Sequence, residues 1–515
     1  MFKPRYYQKD AIQSILKYFR SGCKGHPLVV MPTGSGKTHV LGGLCQEIKR
    51  LWPNEKVLIL SHVREILEQD YNALKEYLPD ELLGLYSAGL GKRQVRQFTV
   101  GGIQSVYRVP ELFQDHRLII VDEAHLIPPT GEGRYRTFLS SMDDPRVVGL
   151  TATPFRLGLG YLTDGDLFDT IVYEKDIGEL INEGYLCNLS TKATEQRMDT
   201  RGIKKTGGDY NVKEMSSKLD KNSITQSIVN ELIVHRNTRH HWLLFAIDIE
   251  HAEHITSKLI ANGIMAACVH SKMKVPRKDI IDLFKANGFQ ALVSVETLTT
   301  GFDAPNVDLI GLLRPTTSPV LHVQMIGRGL RVSPHKKDCL VLDFAGNTER
   351  LGPINRVKVP IPGIKTGTGT APVRTCPECQ EVQHAPLRVC KSCGYKFPIT
   401  TKLTTRADSK KVIEYSTINT HKVNNVLYAV HRKPGKITSL KVTYVCGLRM
   451  FHEWVTLEHP GFPGHKARYW WKYRASTTPP RTIKEAILRV KELTNPITID
   501  VDEGGKYPVI KRCSF

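Results

Sequence analysis

Apolar runs of four residues, each bounded by polar or turn-forming positions, recur early in the chain at 28–31, 57–60, 118–121 and 147–150. Between them, residues 64–78 (REILEQDYNALKEYL) place their apolar side chains at helical spacing. Short continuous apolar runs alternating with amphipathic helices predict a mostly parallel sheet buried on both faces. After Tyr185 the stretch 191–222 is polar and rich in Gly and Lys, and is expected to connect two lobes. A second alternating set follows, with helices at 223–235, 251–262 and 319–330 and strands at 242–247, 291–295, 308–313 and 339–344. The expected fold class is therefore α/β, with parallel-sheet lobes at 1–185 and 186–350. Residues 362–372 (PGIKTGTGTAP) read as a linker. A cysteine-rich segment at 371–400 comes next, then a small basic β-rich domain at 401–515 with strand-like runs at 439–446 and 496–501.

At 515 residues the chain is too long for one hydrophobic core, which agrees with several domains. No segment approaches the roughly 18 uninterrupted apolar residues that span a bilayer, so no membrane partner is expected. The opening MFKPRYYQKDAI turns polar too soon for a secretory leader, and a thiol-reducing cytoplasm is the expected compartment. Formal charge is +21, and residues 394–515 hold 22 Lys+Arg against 9 Asp+Glu. Such a surplus fits a polyanion bound through its phosphates, or a solvated basic surface; charge alone does not choose.

Two motifs supply chemistry. MPTGSGKTH (31–39) lies between an apolar strand and a helix. Gly34 and Gly36 permit the tight turn that aims backbone N–H groups at phosphates, Lys37 adds a point charge, and the Thr38 hydroxyl can ligate Mg²⁺. Met31 stands where the full phosphate-loop pattern has its first glycine. VDEAH (121–125) closes a strand with two acids: Asp122 can hold Mg²⁺, and Glu123 can orient or deprotonate the attacking water. Loop and acids in this order predict an ATP site.

RYYQKDAI with Gln8, MPTGSGKT, SHVREILEQ (61–69), GGIQSV (101–106), VDEAH, LTATP (150–154), TTGFDAP (299–305) and QMIGRGLR (324–331) follow in the order of superfamily 2 helicases, which the chain resembles. That superfamily keeps TGxGKT and varies upstream, which accounts for Met31. GLTATPFRLG, LTTGFDAPNVDLI and IGRGLR, followed by a Cys-rich insert, look most like the RadD-like DNA-repair helicases of bacteria and their phages, over roughly residues 1–400. The resemblance implies two RecA-like lobes that share one ATP site. Arg5, Gln8, Thr33, Gly34, Ser35, Gly36, Lys37, Thr38, Gly301 and Asp303 would bind the nucleotide, with Gln8 reading adenine and Asp303 the ribose. Arg328 and Arg331, three apart on the predicted helix, would act as arginine fingers. Thr151, Thr153 and Gln324 would couple hydrolysis to lobe movement. Ser61, His62, Arg64, Gly101, Gln104, Ser105, Thr297, Thr299 and Thr300 match the strand-contacting motifs.

The spacing C-x2-C-x10-C-x2-C, with Cys376, Cys379, Cys390 and Cys393, predicts a zinc ribbon with four cysteine ligands. A redox reading uses one C-x-x-C and leaves the second pair unexplained. Four thiolates fill a tetrahedral Zn²⁺, so His384 is read as a bystander and the site as structural. Arg388 and Lys391 either ride on this clamp as DNA contacts or merely decorate it. ARYWWKYR (467–474) interleaves aromatics with cations, which suits base stacking, although tryptophans are more often core than platform. Residues 481–493 read as an amphipathic helix.

These features imply an ATP- and Mg²⁺-dependent DNA helicase or translocase with a bound Zn²⁺, in a bacterial cell or phage-infected host. It would act on single-stranded, forked or branched DNA in repair, recombination or replication, with single-strand-binding or recombination proteins as further partners. The rival readings are an RNA helicase, the motor subunit of a restriction complex, and a DNA-binding scaffold with a dead ATP site.

Overall fold

The computed structural model describes residues 4–128, 133–156, 160–164, 167–273, 275–298, 301–357, 373–375, 378, 382–384, 395, 418–432, 437–447, 449–459, 462–475, 477–503 and 508–515. Two compact units divide the chain: residues 1–160 with 171–414, and residues 161–170 with 415–515.

The first unit holds two sheets. Helix α1 (Tyr6–Arg20) precedes β1 (Pro27–Val30), whose four residues are all buried. Then come α2 (Lys37–Leu51), β2 (Val57–Ser61), α3 (Arg64–Leu74), β3 (Leu83–Ser87), β4 (Lys92–Arg93), β5 (Phe98–Gly102), β6 (Leu118–Asp122), β7 (Arg146–Thr151) and β8 (Thr170–Glu174). The spatial order is β8-β1-β7-β6-β2-β5-β3-β4. The pairs β1–β7, β7–β6, β6–β2, β2–β5 and β5–β3 are parallel, and β4 turns back antiparallel on β3. Helices on both faces require strands that are apolar throughout, which is why 57–60 and 118–121 lack polar alternation. The helix expected over 64–78 ends at Leu74, and Tyr77 and Leu78 still bury their side chains after it.

The second sheet consists of β9 (Asn188–Lys192), β10 (Trp242–Phe245), β11 (Ala266–Val269), β12 (Ala291–Ser294), β13 (Leu309–Leu312) and β14 (Asp338–Asp343), in the order β9-β14-β13-β10-β12-β11. All of its pairs are parallel. Helices α4 (Asn222–Ile233), α5 (Ile249–Ala261) and α6 (Pro319–Gly327) belong to this half. The expected connection at 191–222 is mostly structure: it opens in β9, forms a hairpin pairing Lys205 with Tyr210, and continues as the helix Val212–Leu219. Met215 and Leu219 bury that helix in the same core as Ile228 and Leu232 of α4, so two apolar residues among many polar ones anchor it.

The second unit contains β15 (Ile418–Lys422), β16 (Asn425–His431), β17 (Ser439–Cys446), β18 (Arg449–Val455), helix α7 (Phe462–Lys472), β19 (Thr498–Asp502) and β20 (Val509–Ser514). They form two three-stranded antiparallel sheets, β16-β17-β18 and β15-β19-β20. Their shared core gathers Val442, Tyr444, Phe451, Trp471, Ile499 and Val501. The basic aromatic stretch splits here. Trp471 is fully buried, whereas Tyr469 and Tyr473 are exposed and stack on each other.

The four cysteines of the expected zinc ribbon, with Arg388 and Lys391, lie outside the described residues, as do Thr299 and Thr300. The segments Val373–Thr375 and Val382–His384 pair antiparallel and bracket Cys376 and Cys379 in the sequence. Among the described residues no cluster of His, Cys, Asp or Glu is arranged to hold a metal, and no helix is long and apolar enough to cross a membrane.

Candidate nucleotide cleft

Three adjacent parallel strands deliver the chemistry at their carboxyl ends, where open α/β sheets bind ligands. Register places Val30 beside Thr151, and Asp122 beside Leu150. The phosphate loop, the acidic pair and the threonine segment therefore emerge side by side. Met31 leaves β1 fully buried, its N–H donating to Thr151 O at 2.9 Å. Gly34 and Gly36 each sit at φ +85°, which L side chains resist. A Cβ on Gly36 would also overlap Gln8 Nε2. Helix α2 starts at Lys37 with no side-chain cap, so its first N–H groups remain free to take an anion.

A cavity of about 610 Å³ opens above these strand ends, within the range of small-ligand sites. Its walls include the loop Thr33–Thr38, Arg5, Gln8, Asp122 and Glu123 from one half, and Gly301, Asp303, Arg328 and Arg331 from the other. Gln8 is held by Arg5 N, which donates to its Oε1 at 2.9 Å, while its Nε2 donates to Ser35 O at 3.0 Å. The Tyr7 hydroxyl donates to the same carbonyl at 3.0 Å. Nε2 keeps one further hydrogen to donate and Oε1 one further lone pair to accept with, as reading a base edge requires. Tyr185 also lines the cavity, with the Arg5 guanidinium 4.8 Å from its ring centroid. Motif reasoning missed this flat apolar wall, because a lone Tyr carries no spacing signal.

Asp122 is buried, and its Oδ1 has no hydrogen-bond partner. Burial, reinforced by the neighbouring Glu123, raises its carboxyl above the usual range, against the pull of Lys37. For Glu123 burial works upward too, but Lys37, His125 and Arg328 together outweigh it and hold the group low. Glu123 adopts φ +53°, a strained conformation for a long side chain, and so turns out of β6 into the cavity. An orphaned carboxylate oxygen beside Lys37 and the Thr38 hydroxyl fits the all-oxygen preference of Mg²⁺, and the cationic loop with free N–H groups fits a polyphosphate.

Thr151, Thr153 and Gln324, expected as coupling residues, form one chain of contacts through His125. His125 Nδ1 lies 3.1 Å from Thr151 Oγ1 and 3.3 Å from Glu123 Oε2. Thr151 Oγ1 in turn accepts from Thr153 N at 3.0 Å. From α6, Gln324 Nε2 approaches His125 Nε2 at 3.4 Å. With the proton on Nδ1, Nε2 is free to accept from Gln324. His125 is thus the central member of this chain of contacts, although the chemistry of the DEAH motif reads from its acids alone.

Three further contacts join the halves. Gln69 Nε2 donates to Gly301 O, Arg277 lies 3.4 Å from Glu65, and a Cβ on Gly327 would touch Thr33 at 3.0 Å.

Other expected residues are placed differently. Helix α6 stops at Gly327, Arg328–Leu330 forms a 3-10 turn, and Arg331 is extended. The two arginines therefore do not share a helical face; the tightened turn sends both into the cavity. Arg328 Nη1 donates to Phe302 O at 2.6 Å, and burial pushes its guanidinium down to about 9. Asp303 pairs with Arg331 instead of standing clear for a ribose, and Arg331 Nη1 stays unsatisfied. Ser61 is fully buried, and Gly101 packs where any side chain would meet Val106 and Leu58. Neither offers a side chain to a strand. Around them, Gln104 Nε2 donates to His62 O at 2.8 Å and Ser105 Oγ accepts from Ala88 N at 2.9 Å. Arg64 is exposed beside Glu68, and Thr297 Oγ1 donates to Val269 O at 3.3 Å.

Comparison with known proteins agrees with this geometry. Residues 1–156 match the family model described as type III restriction enzyme, res subunit, and residues 223–333 match the helicase conserved C-terminal domain. IRC3 of Saccharomyces cerevisiae, which carries an ATP-dependent helicase name, is 31% identical over 66% of this chain. The chain spans about half the length of that relative, 51%. A 51.5 kDa protein of a Lactococcus phage is 27% identical over 73% of this chain and 79% of its own. A fragment structure from Vibrio vulnificus YJ016, titled for the HsdR subunit of a type I restriction enzyme, superposes with a TM-score of 0.55. It is 20% identical and covers 70% of this chain and 68% of that one, which shows a shared fold. Each half of the first unit thus matches a model from ATP-driven nucleic-acid enzymes, and the chain is similar to proteins named as ATP-dependent helicases and DNA translocases.

Proposed function

We propose that the protein is an ATP-driven DNA translocase or helicase of the RadD-like type, acting on single-stranded, forked or branched DNA in repair, recombination or replication. The observation that carries this reading is the division of one cavity between two sheets. Arg328 and Arg331 come from one half, and Lys37, Asp122 and Glu123 from the other. A site divided in this way senses lobe closure, and it is complete only when the halves meet.

Within this reading the loop N–H groups and Lys37 hold the phosphates, and Thr38 and Asp122 would hold Mg²⁺, which supplies charge neutralisation when bound. Glu123, kept ionised by its cationic neighbours, orients water and accepts its proton. Arg328 and Arg331 face the charge that develops in transfer. Tyr185 and Gln8 are placed for the adenine. His125 and Gln324 report the state of the site from one lobe to the other, so that each cycle moves a strand lying across both. His62, Arg64, Gln104, Ser105 and Thr297 remain the candidate strand contacts. The cysteine segment is a zinc clamp, set in sequence between motor and basic tail.

DNA is favoured over RNA by the restriction-enzyme names of the first-lobe model and the Vibrio structure. A restriction-complex motor is the second reading, supported by the same names. The test compares ATPase stimulation by single strands, duplex, forks, four-way junctions and RNA. DNA, with branched or single-stranded forms foremost, is expected to stimulate; stimulation by RNA alone overturns the reading, and stimulation by plain duplex alone favours the restriction motor.

A further inference from the structure

The second unit has a sheet face that its own core leaves unused. Along β16, β17 and β18 side chains alternate, and Val426, Tyr444, Phe451 and Val455 enter the core. The opposite face sets Ala429, Lys441 and Trp454 in one cross-strand row, and Leu427, Thr443 and His452 in the next. Helix α7 lies on the core side, where Trp470 Nε1 donates to Glu453 Oε1 at 2.7 Å. On the outward face Ser439 and Thr443 of the central strand are covered, while the edge strands expose Leu427, Met450 and Trp454, the last 51% exposed. His431 and His452 flank that indole, at 6.0 and 6.3 Å between ring centroids. Lys441 is its direct neighbour on β17.

The charge around this ring is one-sided. Glu453 is the single acid in the three strands, and it faces the core. Residues 415–515 hold 17 Lys+Arg against 7 Asp+Glu. Several of those acids are already engaged, Glu485 and Glu492 by Arg489 and Glu503 by Arg449. An exposed flat apolar ring directly beside Lys441 in a unit with a basic surplus, with no carboxylate on its face among the described residues, complements a ligand that is flat and apolar in one part and anionic in the next. A base on a phosphodiester backbone has that character.

We propose that the outward face of β16–β18 is a stacking platform for single-stranded nucleic acid, with Trp454 taking the face of a base and Lys441 the neighbouring phosphate. The platform rests on the nucleic-acid motor reading and adds to it a site outside the motor lobes. It also relocates the stacking role that sequence reading gives to 467–474, since Trp471 there is core.

The test is fluorescence anisotropy of a labelled 20-nucleotide oligothymidylate with the full chain, without ATP. Trp454→Ala should weaken binding about 5- to 150-fold, the range for loss of one base–aromatic stack. Trp454→Phe should keep most of the affinity, and Trp52→Ala, which removes a Trp exposed on the first unit, should change nothing. Lys441→Ala should reduce the salt slope of binding by about 0.7, the value for one phosphate contact on a single strand. Basal ATPase should be the same in all four. Wild-type affinity in Trp454→Ala overturns the platform while leaving the motor reading intact, and would leave that face to a protein partner. A wild-type chain that binds no oligonucleotide overturns both. Should Trp454→Ala melt lower than wild type, Trp454→Phe decides: retained binding supports the platform, lost binding overturns it.

Discussion

Gln324 offers the sharpest mutational test of communication between the lobes. It does not line the nucleotide cavity, yet its amide is the second lobe's contribution to the His125 relay, across 3.4 Å. Replacement by Ala removes one long hydrogen bond, worth about 0.5–1.5 kcal/mol, and leaves His125 Nε2 without its partner in a buried setting. Because 3.4 Å is long, the combined cost to the closed arrangement is about 1–2 kcal/mol, a factor of about 5–30 in its population. Phosphate release at saturating ATP and saturating single-stranded DNA should therefore fall about 5- to 30-fold in kcat, with KM for ATP little changed. A double mutant with His125→Ala should lose less than the sum of the single losses, since both act through one contact. An unchanged kcat, or a defect confined to KM, would refute the relay.

Other expectations concern single groups. Gly36→Ala forces a side chain into φ +85° at about 1–2 kcal/mol and displaces Gln8 from Ser35, so nucleotide affinity by titration should drop at least several-fold. His322 is fully buried, and burial, opposed by Asp343 and the Gly352 carbonyl, pushes its imidazole down to about 4. The unfolded chain binds that proton below about 6.5 and the folded chain does not, so this stability is present above pH 6.5 and is lost as pH falls toward 4. The loss amounts to about 3 kcal/mol, and His322→Gln should flatten the decline of the denaturation midpoint between pH 7 and pH 5. If Cys376, Cys379, Cys390 and Cys393 form the proposed clamp, the purified protein carries about one zinc per chain, lost in Cys376→Ser; absence of metal from the intact chain removes the clamp.

Much of the two-sheet unit was legible because its signals are local. Four-residue apolar runs found β1, β2, β6 and β7 within a residue or two, and TGSGKT and DEAH located the loop and the acids. What escaped depends on contacts remote in sequence. The segment 191–222 hides its anchoring Met215 and Leu219 among polar residues. The end of α6 looks helical through Leu330, yet Cys187 N donates to Leu330 O at 2.6 Å and secures the non-helical turn that aims Arg331 at Asp303. Ser61 and Gly101 match strand-contact motifs, but adjacent parallel pairing buries them at the sheet's centre. Tyr185 and the Gln324–His125 contact unite positions far apart in the chain, and no spacing rule reaches that far. The same holds for Trp454, whose exposure follows from strand register.

Displacement of a triplex-forming third strand from DNA, followed with wild-type protein and Lys37→Ala, decides whether the chain is a motor on DNA. ATP-driven translocation predicts displacement by wild type with ATP, none without it, and none by Lys37→Ala. Displacement that ignores ATP, or vigorous DNA-stimulated hydrolysis with no displacement, would contradict it.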